Sequence, residues 1–286
     1  MTMANYETDP NLYHQVLTGM EICFPGIKSL ADKGRKYDAA WDRFSIPFVV
    51  TEDNEVIAHV GIISFDFIIN NENQKGAAIH GVYVKDEYRG KGFFKELMEE
   101  ALDFSREHYD FSLLFTDQPH LYHKFGFKTT IESDFVLNSF NKKPTSDKLH
   151  RIDLKNKAEI DLMHHLLMKR LPLSLRFGIL HEKDIFTLQA LQEPIYYSPI
   201  DNALIYYKII DDVLYIRDIV CEKIIPLSRV IDLIPETFSE VILQFSPERF
   251  TQDVKPIRAH PECSLMVSES VELGDKPMRF PEGQRC

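Results

Sequence analysis

The order of apolar runs, glycine turns and polar breaks predicts a mixed α/β protein built on a mostly antiparallel central sheet. Three observations carry that expectation. Two β-patterned segments are joined by short polar turns in the first half of the chain. A strand, glycine turn, helix and strand follow directly. A further hairpin and helix series begins after residue 150.

Element by element, Ile27 to Phe44 sets Leu30, Tyr37, Ala40, Trp41 and Phe44 near helical spacing, an amphipathic helix despite Gly34. Phe48 to Val50 and Val56 to Ile69 read as strands around the turn Glu52-Asp53-Asn54-Glu55, with a second turn over Asn70 to Gly76 and a strand from Ala77 to Lys85. Phe94, Leu97, Met98, Ala101, Leu102 and Ser105 keep a helical period between Phe93 and His108, and Phe111 to Phe115 is the next strand. Residues 138–150 are polar, contain Pro144 and read as a linker, dividing the chain into units of about 1–140 and 150–286.

Beyond the linker, Lys157 to Lys169 has the spacing of an amphipathic helix, and the runs on either side of Asp211-Asp212 form a hairpin over residues 202–220. Pro226 suits the first turn of a helix reaching Ile234, with strands at Val241 to Phe245 and Ser264 to Val267. Gly274, Pro277, Pro281 and Gly283 mark the last 20 residues as an irregular tail.

Composition excludes several classes. With 44% hydrophobic and 27% charged residues the chain is an ordinary globular protein, and its apolar runs are far short of the ~20 residues that span a bilayer. The first ten residues lack a basic region followed by an apolar stretch, so no secretory signal is expected, and four widely spaced cysteines read as reduced thiols in the cytoplasm. A net charge of −11, with both halves acidic, argues against general nucleic-acid binding. His164-His165 has neither H-E-x-x-H nor H-x-x-E-H around it, which excludes that metalloprotease pattern, and no metal is expected.

The informative turn is Tyr88-Arg89-Gly90-Lys91-Gly92-Phe93. Glycines between a strand and a helix allow a tight turn and leave backbone N–H groups free to face an anion at the helix N-terminus. A plain tight turn fits the same residues. The spacing is neither the dinucleotide GxGxxG fingerprint nor a Walker loop.

The run from Val82 to Met98 closely resembles the acetyl-CoA motif of the Gcn5-related N-acetyltransferases, in which a strand leads through R-x-x-G-x-G/A into a helix. The arginine falls on Arg89, the first motif glycine on Gly92, and the last small position on Phe94, a bulky variant similar to that of the enhanced-intracellular-survival-like branch. Leu121-Tyr122-His123-Lys124-Phe125-Gly126-Phe127 resembles a second family segment, (F/L)Y-x-K-x-GF. The resemblance implies an acyl-CoA N-acyltransferase fold, with backbone N–H groups of Gly90, Lys91, Gly92, Phe93 and Phe94 on the pyrophosphate and backbone groups of Val82 and Val84 on the pantetheine arm. It also implies a degenerate second copy of the fold after residue 150. There the corresponding turn, Cys221-Glu222-Lys223, has no glycine, so that half is structural or substrate-shaping. The sterol-carrier-like third domain of that branch is not expected in a chain of this length.

The implied reaction is direct transfer of acetyl from acetyl-CoA to a primary amine in a ternary complex. Tyr122 is the candidate general acid for the leaving thiolate, since an unperturbed phenol with pKa ≈ 10 holds its proton at neutral pH; a packed tyrosine is the plainer reading. Alternation places His80 on the strand face of Val82 and Val84, beside the acceptor channel, which makes it a candidate base. Asp117 and His120, just after the Phe111 to Phe115 strand, are further candidate proton acceptors, acting directly or through a water chain. The acceptor is a small-molecule or peptide amine; acidic walls would favour cationic amines such as polyamines, aminoglycosides or peptide amines, but a net charge of −11 locates no acid near the site. No nucleic acid or membrane partner is expected, and homo-oligomerisation is left open. A non-catalytic acyl-CoA sensor or interaction module shares the cofactor motif and is the alternative.

Overall fold

The computed structural model describes residues 5–285; Cys286 lies outside them. The first helix, α1 (Pro10–Cys23), is opened by Asp9, whose carboxylate accepts from the amides of Asn11 (3.0 Å) and Leu12 (3.1 Å). Leu12, Tyr13, Val16, Leu17 and Met20 form its buried stripe. The helix expected over 27–44 is two: α2 (Ile27–Lys36) and the single turn α3 (Trp41–Phe44). Between them Asp38 takes φ 59°, and a Cβ on Gly34 would lie 2.7 Å from the Ala39 carbonyl oxygen, so glycine lets the chain fold back against the helix.

Strands β1 (Ser45–Glu52), β2 (Glu55–Ile69) and β3 (Glu72–Val84) form an antiparallel meander. Its turns, Asp53-Asn54 and Asn70-Asn71, place two successive residues at positive φ (50° and 64°, 49° and 69°), the mirror-image turn whose twist matches that of the strands. The second turn is therefore shorter than the 70–76 stretch expected, and β3 begins earlier. Helix α4 (Phe93–His108) buries Leu97, Met98, Ala101, Leu102 and Ser105 on one face of this sheet, while α1 covers the other, which explains the nearly continuous burial of β2. Strands β4 (Phe111–Thr116), β5 (Phe127–Thr129), β6 (Ser133–Leu137) and β7 (His150–Arg151) follow.

The second half repeats the order. After α5 (Lys157–Lys169), β8 (Phe177–Leu180), α6 (Asp184–Ala190) and β9 (Tyr196–Ser198), an antiparallel pair β10 (Ala203–Ile210) and β11 (Val213–Cys221) leads through α7 (Leu227–Leu233) to β12 (Glu240–Leu243), parallel to β11. The first half has the same arrangement: β2 and β3 antiparallel, then α4, then β4 parallel to β3. Strands β13 (Val254–Arg258) and β14 (Ser264–Ser268) complete the set.

The sheets cross the boundary expected at 140–150. The first has the order β1-β2-β3-β4-β14-β5, with β8 beside the far end of β2; the second is β13-β6-β12-β11-β10-β9-β7. β14, from the second half, lies between β4 and β5, and β6, from the first half, lies between β12 and β13. Each sheet is thus closed by a strand from the other half of the chain, so the two lobes are not consecutive in sequence. The tail is irregular, as expected, yet packed: Met278, Arg279 and Phe280 are buried, and Arg279 contacts Glu132, Asp134 and Glu282. Apolar side chains at 271, 278 and 280 join the core of the first sheet, which ties this segment down without regular structure. Among the described residues no helix is long and apolar enough to cross a membrane.

Candidate active site

β3 and β4 pair in parallel from Gly76 opposite Phe111 to Ile79 opposite Leu114, and then part. Beyond that point the β4-facing edge of β3 has no strand beside it. At the same place β3 bulges against β2: two residues, Gly81 and Val82, stand between His80 and Tyr83, where β2 has only Val60 between His59 and Gly61. Gly81 takes φ +59°, and a Cβ there would lie 2.9 Å from Met20 Cε, so the bulge requires glycine.

The bulge corrects the face assigned to His80. One extra residue inverts the alternation, so Val82 and Val84 pack on the α4 side with Ala77 and Ile79, while His80 lies on the opposite side against Trp41 (5.3 Å between ring centroids). Tyr83 is on that side too, stacked on His59. His80 is buried, its Nε2 is 2.8 Å from Ser45 Oγ, and its Nδ1 is enclosed without a partner. Desolvation first, then the neighbouring His59, holds its pKa well below 6.5, so the ring is neutral.

The glycine loop is exposed and leads directly into α4. Gly92 caps the helix at φ 97° with no side-chain hydrogen bond to the first-turn amides, and Gly90 has φ 76°. A Cβ on either glycine would meet nothing within 4 Å, so the space over the amides is open. Unpaired N–H groups at the start of a 16-residue helix fit a diphosphate. Arg89 is not free: it pairs with Asp86 (2.9 Å) and donates from Nε to the Val84 carbonyl (3.3 Å). Lys91 Nζ sits 4.5 Å over the Tyr88 ring. Phe94 turns inward, edge-on to Tyr122 (5.7 Å) and Phe125 (5.4 Å).

Tyr122 follows a single turn over Pro119–Leu121 and precedes another over His123–Phe125, from which Gly126 at φ 80° releases the chain into β5. The ring is packed against Phe94 and Phe127, and burial, then the Asp117 charge, raises its pKa to about 12. Asp117 and His120 are exposed at the end of β4.

A cavity of about 740 Å³ opens on the His80 side of the splayed strands and is lined by both lobes. Ile79, His80, Gly81 and Phe115 form its floor at the strand separation. Met20, Phe24, Ile27, Leu30, Trp41, Ile185 and Leu188 make one wall apolar. The other wall carries Asp134, Glu193, Glu262 and Glu282 against Lys208, Arg217, Arg279 and Arg285. Most of these charges answer one another: Glu193 with Arg217 (2.8 Å), Asp134 with Arg279 (3.2 Å), Glu282 with Arg279 (2.6 Å) and Arg285 (2.9 Å). The cavity is therefore charge-balanced, although the chain as a whole is acidic. Asp117 and His120 are not among its lining residues. Neither α1 nor the second-lobe wall was marked in the sequence as part of the site; the Asp9-Pro10 cap before a helical apolar stripe was the signal for α1.

In the second lobe the corresponding opening is filled. Asp218 on β11 makes a buried two-pronged pair with Arg170 (2.5 and 3.0 Å), and a Cβ on Gly283 of the tail would lie 2.7 Å from Asp218 Cβ. Among the described residues, only the first lobe has a glycine turn with open space over it at the start of the helix that follows its splayed strand.

A helix N-terminus beside two splayed strands, in a sheet with a degenerate copy behind it, defines a two-lobed acyltransferase fold. Residues 9–130, somewhat under half of the chain, match the family model of the acetyltransferase (GNAT) domain. No curated protein matches the sequence. Among solved structures, a probable N-acyltransferase from Enterococcus faecalis has 14% identity and a TM-score of 0.59, over 89% of this chain and 69% of that one. Eis1 from Mycobacterium abscessus has 12% identity and a TM-score of 0.58, over 90% and 71%. A GCN5-related N-acetyltransferase from Anabaena variabilis has 17% identity and a TM-score of 0.58, over 92% and 71%. At these identities the likeness is one of fold, and it extends over both lobes.

Proposed function

We propose that the protein is an N-acetyltransferase that transfers the acetyl group of acetyl-CoA to a primary amine in a ternary complex. The observation that carries this reading is the meeting of two spaces at one bulge: the open glycine cradle on the α4 side and the two-lobed cavity on the other, joined where β3 and β4 part. Amides of residues 90–94 would hold the diphosphate, and backbone groups of Val82 and Val84 the pantetheine arm. The acceptor would enter from the cavity, its apolar wall taking the body of the amine and its balanced charges giving no special advantage to a polycation. Holding both reactants in adjoining spaces removes much of the orientation cost.

In the reaction the amine lone pair attacks the thioester carbonyl, the C–N bond forms, and the C–S bond breaks. One proton leaves nitrogen and one reaches sulfur. Tyr122, whose phenol is kept protonated by burial, donates to the sulfur. The enclosure of both His80 nitrogens favours water over direct contact as the carrier of the amine proton. The Val82 N–H, outside the strand ladder, would stabilise the oxyanion. Titration calorimetry with acetyl-CoA tests the cradle, and release of CoA thiol with a panel of amines tests the transfer. Tight binding without turnover on any amine would favour an acyl-CoA sensor, and no binding would overturn both readings.

A further inference from the structure

The bulge that lifts Gly81 and Val82 out of the ladder is held by side chains that no motif marks. We infer that His59, oriented by Tyr6, is a positioning residue that grips the Gly81 carbonyl and thereby aims the Val82 N–H at the reacting acyl oxygen, an assignment that rests on the acyl-transfer reading above.

The directions of the hydrogen bonds follow from where protons can reside. The Gly81 oxygen only accepts, so its 2.7 Å contact with His59 Nδ1 places a proton on Nδ1. His59 is fully buried on β2, and desolvation lowers its pKa to about 4, partly offset by the Gly81 bond. The ring is therefore neutral and Nε2 carries a lone pair. Tyr6, also buried, lies 3.1 Å from that nitrogen and donates its hydroxyl proton to it. Desolvation raises the Tyr6 pKa, so the proton stays on oxygen. Tyr6 thus selects one tautomer of His59, and that tautomer is the one able to hold Gly81.

The consequence for Val82 is geometric. In a trans peptide the C=O and N–H point to opposite sides, and no described peptide bond is cis. With the Gly81 oxygen drawn toward His59, on the α1 side, the N–H of the same peptide turns the other way, toward the side where Val82 packs near α4. Neither residue is paired with a residue of β2. A carbonyl that accepts a hydrogen bond also polarises its own peptide, making the N–H a better donor. His80 makes no hydrogen bond to the Gly81 carbonyl: its Nε2 is engaged with Ser45 and its Nδ1 has no partner.

The test uses the whole chain as wild type, Tyr6→Phe, His59→Gln and His59→Phe. Without ligand, isotope-labelled protein reports the His59 tautomer from its ring nitrogens and the hydrogen bond from the Gly81 carbonyl carbon resonance. With acetyl-CoA labelled at the carbonyl carbon, the infrared band of the bound thioester reports the donor, and CoA release gives kcat. Tyr6→Phe, which removes one hydroxyl and leaves the packing, is expected to fold and to bind acetyl-CoA as before. It should lose the single tautomer, shift the thioester band back toward its solution position and lower kcat ~10-fold. Full loss of the grip in His59→Phe should approach the ~100-fold typical of a missing oxyanion donor, with partial recovery in His59→Gln, whose amide can still donate. An unchanged Gly81 resonance in His59→Phe, or an unchanged band and kcat in folded Tyr6→Phe, would overturn the assignment. A wild type that turns over no amine would instead sink the acyl-transfer reading, while the Gly81 resonance would still decide whether His59 holds the carbonyl.

Discussion

Replacing Gly92 by alanine isolates the conformation of the cradle from its packing. At φ 97° and ψ −11° the residue is in the left-handed region, where a Cβ crowds the following carbonyl at a cost of ~1–2 kcal/mol. No steric contact adds to this, since the new methyl would meet nothing within 4 Å. Loss of freedom in the unfolded chain returns ~0.4–1 kcal/mol. If the cap keeps its shape, the net cost is ~1 kcal/mol, a fall of no more than about 2–4 °C in Tm for a chain of this size. If the cap relaxes instead, the first-turn amides leave their common focus, and ~1 kcal/mol moved into binding weakens acetyl-CoA ~5-fold. Calorimetric titration together with a thermal melt separates the two. Gly274, at φ 73° with equally open space but in the tail, is the control: its alanine variant should lose stability and keep its affinity. Wild-type affinity in a Gly92→Ala protein of undiminished stability, or equal loss of affinity at both sites, would refute the cradle.

Tyr122→Phe should leave acetyl-CoA affinity unchanged and lower kcat ~100-fold, measured as CoA release under saturating donor; an unchanged kcat would remove the tyrosine from the chemistry. The raised Tyr122 pKa fixes the sign of its alkaline effect: its contribution to stability is complete below pH ~10, the phenol's unfolded value, and is lost as pH rises toward about 12, which denaturant midpoints across that range would show. Asp218→Ala strands a buried guanidinium and should cost ~3–5 kcal/mol. Because the lobes exchange strands, the loss should appear in the fluorescence of Trp41, the chain's one tryptophan, in the other lobe; an unshifted Trp41 transition would mean that the lobes unfold separately. A fragment ending at residue 140 lacks β14 and leaves β4 and β5 unbridged, so circular dichroism should show it unfolded.

Much of the first lobe was legible because its signals are local. The period of α4, the paired polar residues at 53–54 and 70–71, and the glycines at 90 and 92 each act within a few residues of where they stand, as do Asp211-Asp212 in the second lobe. His80 was legible as a residue and not as a position: alternation is a sound rule until a strand gains a residue, and Gly81 reads the same whether the strand is regular or bulged. Asp117 and His120 illustrate the converse, polar groups near the sheet opening by count yet outside the lining of the cavity.

The amino-acid order by itself determined the β1–β3 meander, α4, the β10–β11 hairpin and the glycine turn before α4, since helix period, turn chemistry and glycine freedom are properties of short segments. Tertiary structure alone decided the rest: the exchange of β6 and β14, the cavity walled by two lobes, and the Tyr6–His59–Gly81 chain, which joins residues far apart in sequence. Strand partners and hydrogen-bond partners of that kind are selected by burial. A polar group taken from water must find a match wherever the fold brings one near, and local sequence carries no mark of which one that is.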